Sequence, residues 1–189
     1  MPEVTDQSLV EKTLVEPEVF GVLIERYEAK LRRYIFRLGI RDYEDQQDVL
    51  QEIFIKAYRN LNSFDTSLSF SSWIYRIGHN EAISWYRKQS VRPEGHLIAE
   101  GDDVLALINS RDDAPDVEFD QQINAAEVTR ALQTIEEKYQ AVLVLRYFEH
   151  KEYDEISDIL KIPIGSVGTL LHRGKKQLAA ALNQHALRI

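Results

Sequence analysis

Apolar residues recur at steps of three and four over three segments in the first half of the chain, a pattern that predicts amphipathic helices. The first helix is predicted at residues 20–38 and the second, capped by Asp42, at residues 42–61. A third is predicted at residues 70–91, after a loop rich in Ser, Thr, Asn and Asp at residues 62–69. The first half of the chain therefore predicts a three-helix unit.

The second half is separated from the first by a segment with weak periodicity and an acidic composition. Residues 93–128 hold ten acidic residues and one basic residue, which predicts a solvated linker at residues 92–121. Helical periodicity then returns without any strand-like alternation, and four helices are predicted at residues 123–135, 139–148, 153–160 and 166–182. The predicted fold is all-α, with two small helical domains joined by a flexible acidic linker and a four-helix C-terminal unit.

Whole-chain composition excludes several classes of protein. With 189 residues, 44% of them hydrophobic, the chain can bury a core in one or two small domains. It has no cysteine, which excludes disulfide frameworks and thiolate metal sites. Residues 1–14 are polar and acidic, and no apolar stretch approaches the roughly 18 residues that span a bilayer. We therefore expect a cytoplasmic protein without membrane insertion.

The charge is unevenly distributed along the chain. A net charge of −8 argues against nucleic-acid binding by the chain as a whole. However, residues 30–41 and 161–189 each hold five basic and no acidic residues, and residues 70–92 hold four basic residues against one acidic residue. Because the local field decides where a polyanion docks, these three segments remain candidates for binding nucleic acid.

Two segments carry patterns that suit nucleic acid. Residues 153–178 read as a short helix, a turn with Pro163 and Gly165, and a basic-ended helix capped by Ser166, which is the order of a helix-turn-helix. Residues 70–91 interleave aromatic and cationic side chains, and bases can stack on such rings while cations hold phosphates. The alternatives are a helical hairpin that only packs and, for Trp73, a place in the core beside Phe70.

Other kinds of site find little support. The helix at residues 48–58 has a polar face that is either an ordinary exposed surface or a protein-docking surface. The five histidines show no HExxH spacing, and the chain has no phosphate-binding loop or GxSxG motif. We therefore expect no enzymatic activity, no cofactor and no metal site.

Together, these segments resemble the extracytoplasmic-function group, or group IV, of the bacterial sigma-70 family. Residues 48–88 resemble its core-polymerase-binding and −10-reading region, and residues 153–178 resemble its −35-reading helix-turn-helix. The resemblance implies an RNA polymerase sigma factor that confers promoter recognition and DNA melting in transcription initiation. A stand-alone helix-turn-helix regulator, or a sigma-like interaction protein with weakened DNA reading, remains the alternative.

The resemblance also implies roles for domains and residues. It implies a region 2-like domain at residues 1–91 and a region 4-like domain at residues 122–189. Contacts with the −10 element are implied for Asn62, Ser63, Phe64, Asp65, Ser69, Ser72, Trp73, Arg76, Asn80, Tyr86, Arg87 and Lys88. Contacts with the −35 duplex are implied for Tyr153, Ser166, Val167, Thr169, His172, Arg173, Lys175 and Lys176.

The implied protein partners are the bacterial RNA polymerase core and an anti-sigma factor. The clamp helices of the largest polymerase subunit would contact a surface made of Asp48, Gln51, Glu52, Phe54 and Ile55, and the C-terminal domain would contact the flap.

Two departures from the family pattern change these expectations. Gly168 and Leu170 stand where members of the family often carry Lys or Arg, which predicts weakened or redirected −35 recognition. Gly78 and His79 replace small or apolar residues in the −10-reading helix, which predicts lower local helix stability there.

Overall fold

The computed structural model of the chain describes residues 4–90 and 125–186. These residues are helical with no strand, and they form two compact units, one almost entirely before residue 91 and the other almost entirely after residue 124. The predicted all-α class with two helical regions is therefore confirmed. The predicted linker at residues 92–121 lies outside the described residues.

The first unit contains four helices, α1 (Asp6–Thr13), α2 (Phe20–Leu38), α3 (Tyr43–Asn60) and α4 (Phe70–Ser90). The last three correspond to the predicted helices, with Val91 outside the described residues. Asp42 caps α3 as predicted, because its carboxylate accepts hydrogen bonds from the backbone N–H groups of Glu44 and Asp45 at 2.8 and 3.2 Å.

Helix α1 was not predicted, since it is short and its stripe is too small to stand out. Leu9 and Val10 are buried, so the helix packs on its neighbours. The Asp6 carboxylate accepts hydrogen bonds from the Arg26 guanidinium and the Tyr27 hydroxyl of α2. Burial, together with the bond to Asp6, raises the pKa of the Tyr27 phenol well above its usual value. The helix therefore depends on contacts that local sequence does not show.

Helix α4 continues without a break through Gly78, so the expected local weakening does not interrupt it. A Cβ atom on Gly78 would lie 3.2 Å from Leu31 Cδ2 of α2 and 3.5 Å from Ile53 Cδ1 of α3. The missing side chain thus lets α4 approach both helices closely. Tertiary packing offsets the intrinsic cost of a helical glycine, which is roughly 1 kcal/mol relative to alanine.

Two polar contacts join the inner side of α4 to α3. The Lys56 ammonium lies 2.6 Å from the carboxylate of Glu81, which is buried. The indole N–H of Trp85 donates to the Asp45 carboxylate at 3.2 Å. Both contacts lie on the same side of α4 as Gly78, so they help to set the rotation of the helix about its axis.

The second unit contains the four predicted helices, α5 (Ala125–Leu132), α6 (Glu137–Tyr147), α7 (Tyr153–Leu160) and α8 (Ile164–Ala186). A capping box between Glu152 and Glu155 begins α7, and Lys161 ends it in the left-handed conformation, with φ 56°. Helix α8 begins two residues earlier than predicted, so Ser166 lies within its first turn and is not its cap.

His79 of α4 is half-buried beside α2. Its Nδ1 atom lies 3.2 Å from the hydroxyl oxygen of Tyr34, within hydrogen-bond distance. Burial lowers the pKa of the imidazole from 6.5 to about 4, because the charged form loses its hydration. The ring is therefore neutral in the folded protein at neutral pH.

The first prediction concerns acid stability. Because the unfolded chain binds a proton at His79 at higher pH than the folded chain, folding becomes less favourable as pH falls from 6.5 to about 4. A His79→Gln variant should lack up to about 3 kcal/mol of this pH dependence. Chemical denaturation of both proteins across this range measures the difference. Parallel pH profiles for the two proteins would contradict the assignment.

Candidate nucleic-acid interface

The outer side of α4 carries a stripe of aromatic, polar and basic residues. Trp73, Arg76, Asn80 and Arg87 lie at helical spacing on the side opposite Gly78 and Glu81, and we call these four the α4 stripe. Asn80 and Arg87 are exposed, whereas Trp73 and Arg76 are half-buried. Ile83 lies between them, a member of this surface that sequence reasoning missed although its spacing indicates it.

Trp73 belongs to the surface and the core at the same time. Its ring packs at 4.9 Å from the ring of Phe64 and at 5.6 Å from that of Phe70, measured between centroids. The rest of the indole reaches solvent. Trp73 is thus partly a core residue and partly a surface residue. The two buried rings fix its orientation.

The loop before α4 is organised by its own polar side chains. The Ser63 hydroxyl donates to the Asn60 carbonyl at 2.8 Å, and the Ser69 hydroxyl accepts from the Ser72 N–H at 3.2 Å. The Asp65 carboxylate accepts from the Ser67 N–H at 2.9 Å, and its hydrogen bonds with the Ser67 side chain and backbone lower the pKa of Asp65. The loop is therefore shaped before any ligand arrives.

The outer side of α8 carries a second stripe. Thr169, His172, Arg173 and Lys176 lie on the side away from the core, and we call them the α8 stripe. The buried side of the same helix consists of Val167, Leu170, Leu171, Gly174 and Leu178. Helix α7, the turn that follows it and α8 form the predicted helix-turn-helix, in which the second helix normally enters the major groove.

Both stripes are positive, although the chain as a whole is negative. Helix α8 contains no acidic residue. Helix α4 contains one, Glu81, which is buried on the inner side and paired with Lys56. The charged residues on the outer sides of these helices are therefore all basic, and the local field there favours a polyanion.

A groove lies between α2 and α3 of the first unit. It has a volume of about 500 Å³ and is lined by Phe20, Ile24, Gln51, Phe54, Ile55, Tyr58 and Arg59. We call it the α2–α3 groove. Three residues of the predicted docking surface, Gln51, Phe54 and Ile55, line it, whereas Asp48 and Glu52 are exposed outside it. Tyr58 and Arg59 were missed, although they follow Ile55 at helical spacing.

The two units match two regions of one protein family. Residues 23–92 match Sigma-70 region 2, and residues 125–178 match Sigma-70, region 4. The chain is 32% identical over 173 residues to the ECF RNA polymerase sigma factor SigW of Bacillus subtilis, covering 88% of this chain and 90% of that protein. This chain belongs to the extracytoplasmic-function group of sigma-70 factors.

A second relative agrees with this sigma-factor assignment, and two solved structures share the fold. The RNA polymerase sigma-H factor of Pseudomonas aeruginosa is 32% identical over 185 residues, covering 94% of this chain and 93% of that protein. The structure of CnrH in complex with the cytosolic domain of CnrY shares the fold, with a TM-score of 0.70, 23% identity and coverage of 95% of this chain and 97% of that chain. The sigma factor RpoE from Bartonella quintana, in complex with the anti-sigma factor NepR, also shares it, with a TM-score of 0.64, 17% identity and coverage of 87% and 96%.

Burial argues against predicted DNA contacts at three residues of this sigma factor. Phe64, Ser72 and Val167, which were predicted to contact DNA, are buried in their units. They are 8%, 6% and 0% exposed respectively, so in this conformation they present little surface to DNA. The remaining predicted DNA contacts are exposed or half-buried.

Packing also explains why this sigma factor has Leu170 where relatives often carry a basic residue. It is 6% exposed and lies on the core side of α8, so a basic side chain at this position would point into the core. Its lack of charge therefore carries no information on −35 reading. Gly168, by contrast, lies near the surface beside Tyr153.

Three other predicted residues lie on the flanks of the two stripes. Tyr86 packs against Trp85 at 5.0 Å between ring centroids, about 100° around the helix from Arg87. Lys88 is exposed on the other flank. The Lys175 ammonium lies 5.3 Å from the centre of the Tyr147 ring.

Residues 4–90 and 125–186 contain no group of three or more His, Asp or Glu side chains placed to hold a metal ion. Within the same ranges, no helix combines the length and apolarity that crossing a membrane requires.

The second prediction tests the packing of α8. Leu170→Arg should lower the free energy of unfolding by at least about 2 kcal/mol, because it removes a buried apolar side chain and places a charge in the core. Thr169→Arg, on the outer side of the same turn, should change it by less than about 0.5 kcal/mol. Denaturant titration of both variants makes the comparison. Equal stability of the two would show that Leu170 is not part of the core.

Proposed function

We propose that this protein is an RNA polymerase sigma factor that confers promoter recognition and DNA melting on the polymerase core during transcription initiation. The observation that carries the proposal is the presence of two outward-facing basic stripes, one on each unit, on helices whose units match sigma regions 2 and 4. We assign region 2 to residues 1–91, the linker to residues 92–121 and region 4 to residues 122–189.

The α4 stripe suits single-stranded DNA of the −10 element. The half-exposed indole of Trp73 allows a base to stack, Arg76 one turn along the helix can hold a phosphate, and Asn80 adds an amide that can contact a base edge. Extruding a base costs a few kcal/mol, and stacking at roughly 1–3 kcal/mol per base offsets much of it. The proposed contacts are Asn62, Ser63, Asp65, Ser69, Trp73, Arg76, Asn80, Tyr86, Arg87 and Lys88.

The preformed loop gives the −10 site its specificity. The hydrogen bonds of Ser63, Asp65 and Ser69 shape the loop before DNA binds, so little ordering free energy is required at that moment. Polar groups at the loop surface can then contact the edge of an extruded base.

The α8 stripe suits the −35 duplex. The second helix of a helix-turn-helix reads base edges with its first turns, while basic residues further along contact phosphates. Ser166, Thr169 and His172 fit the first role, with Tyr153 beside them. Arg173, Lys175 and Lys176 fit the second.

The α2–α3 groove and the acidic residues beside it suit the polymerase. The groove offers apolar side chains such as Phe54 and Ile55, and Asp48 and Glu52 add negative charge on the same helix. An apolar centre with a charged rim is the usual composition of a protein interface. We propose that this surface binds the clamp helices of the largest subunit and that region 4 contacts the flap. An anti-sigma factor is a second partner, as one was solved with RpoE.

The protein performs no chemistry of its own in this proposal. It captures strands that have separated, and the polymerase forms the phosphodiester bonds. It acts where the polymerase acts, in the cytoplasm. A chain with a net charge of −8 binds DNA weakly alone, since phosphate contacts must overcome its own repulsion. Promoter binding is therefore expected only from the holoenzyme.

The third prediction is the test of this function. Core polymerase with the purified chain should give promoter-specific run-off transcripts from a genomic template library, whereas core polymerase alone should not. DNA binding by the isolated chain should be weak at physiological salt. Absence of any specific transcript, or tight specific binding without polymerase, would favour a stand-alone regulator instead.

The fourth prediction separates the two surfaces of region 2. Asn80→Ala should reduce open-complex formation at least about fivefold with core binding unchanged, because a polar contact with a base edge is worth about 1–3 kcal/mol. Phe54→Ala should reduce core binding. Permanganate reactivity reports strand opening, and pull-down titration reports core binding.

The matched control for Asn80 is Asn183→Ala, which removes an exposed amide from the far end of α8. It should change neither quantity. If Asn80→Ala lowers core binding as much as opening, the residue acts through the fold and not through DNA.

A further inference from the structure

Four glycines lie in the long helices α4 and α8, and at two of them a side chain would be tightly packed. A Cβ atom would lie 3.2 Å from Leu31 at Gly78 and 3.1 Å from Leu143 at Gly174, closer than side chains normally approach. At Gly168 the nearest atom to such a Cβ would be Tyr153 Cε2, at 3.7 Å, which is an ordinary contact. Alanine would therefore fit at position 168 and would favour the helix, so packing does not explain this glycine.

An aromatic ring borders the open space over Gly168. Tyr153, the first residue of α7, is 41% exposed, and one edge of its ring lies beside the Gly168 backbone. A Cβ atom on Gly165, one turn earlier in α8, would meet no atom of a neighbouring residue within 4 Å. We call the open space over Gly168, beside the Tyr153 ring, the Tyr153 notch. It lies in the first turns of the helix-turn-helix second helix.

The side chain of Arg146 fixes the position of the Tyr153 ring. The Arg146 guanidinium lies 5.5 Å from the centre of the ring, a favourable cation–π arrangement. Arg146 is itself fixed, because it donates to the Lys151 carbonyl at 3.0 Å and to the Glu152 carboxylate at 2.8 Å. A ring that is held this way makes an exposed apolar contact without losing much side-chain entropy on binding.

The notch lies beside the α8 stripe. Gly165, Gly168 and His172 follow at steps of three and four, so they share one edge of the helix. His172 belongs to the stripe that faces DNA in the proposed function. In the major groove, the apolar feature that a protein can contact is the 5-methyl group of thymine.

We propose that Tyr153 and Gly168 are specificity determinants of −35 recognition, with the Tyr153 notch accepting the 5-methyl group of one thymine. This inference rests on the proposed function, in which α8 reads the −35 duplex. It assigns the glycine a positive role, since a larger residue at position 168 would occupy the space that the methyl group fills. Basic residues of the α8 stripe then supply affinity, and the notch supplies sequence preference.

The test replaces thymine by deoxyuridine, one position at a time, in the −35 element of a promoter obtained from the run-off assay. Holoenzyme affinity is measured for each DNA at fixed salt. At one position, the wild-type protein should bind the deoxyuridine DNA about fourfold more weakly, the ratio that corresponds to burial of one methyl group. At that position, Gly168→Ala and Tyr153→Ala should reduce the ratio to about one.

Control measurements distinguish a loss of thymine preference from a loss of folding stability. Gly168→Ala should unfold at the same denaturant concentration as wild type or a higher one, so its loss of thymine preference is not a loss of structure. Tyr147→Ala removes another exposed tyrosine of the same unit that has a cation over its ring, and it should leave the ratio at fourfold. Tyr153→Phe keeps the ring edge and should also keep the ratio.

Each other outcome overturns the inference. A wild-type ratio of one at every thymine rules out methyl reading. If Tyr153→Phe weakens binding to every DNA alike and no thymine matters, Tyr153 is a phosphate contact through its hydroxyl. If the run-off assay gives no transcript, the proposed function itself fails, whereas transcription with a ratio of one overturns the methyl contact alone.

Discussion

The inner face of α4 determines what this protein can present to DNA. Close approach at Gly78 and the polar contacts of Glu81 and Trp85 with α3 lie on successive turns of that face. Because these contacts set the rotation of the helix, the residues on its other side are forced outward, and the α4 stripe follows from packing. The pairing of buried Glu81 with Lys56 also keeps the single carboxylate of α4 away from the outer side of the helix.

The need of each helix to pack one face against its neighbours explains how much of the fold the sequence predicts. Periodicity located seven of the described helices, because each needs a continuous apolar stripe to pack. It missed α1, which is held in place by tertiary contacts, among them the burial of Leu9 and Val10 and the bonds of Asp6 with α2. Motif resemblance placed Val167 and Leu170 among DNA-facing positions, since aligned positions carry no information on burial. The spacing of Val167, Leu170, Leu171 and Gly174 predicts a buried face, so helical phase corrects what the motif suggests.

The net charge of this chain predicts poor DNA binding, whereas the local charge on the outer sides of α4 and α8 predicts that DNA binds there. Local charge is the relevant quantity. Coulomb interactions between exposed charges are screened beyond about 8 Å at physiological salt. A phosphate at the α8 stripe therefore interacts chiefly with nearby residues such as Arg173 and Lys176, on a helix without carboxylates. The net charge of −8 acts mainly on approach from a distance, where it slows association with DNA.

Two modest surfaces on separate units are a sufficient basis for promoter specificity. Once one surface is bound, the other binds at a high effective concentration, and the combined affinity exceeds that of either alone. This gain is lost if the two sites on DNA do not match the separation that the protein allows. Neither stripe needs to be strong by itself, and a weak pair discriminates better, because each surface alone dissociates readily from wrong sequences. In the proposed function, the polymerase core holds the two units at a defined spacing, so core binding by region 2 is a condition for DNA reading by region 4.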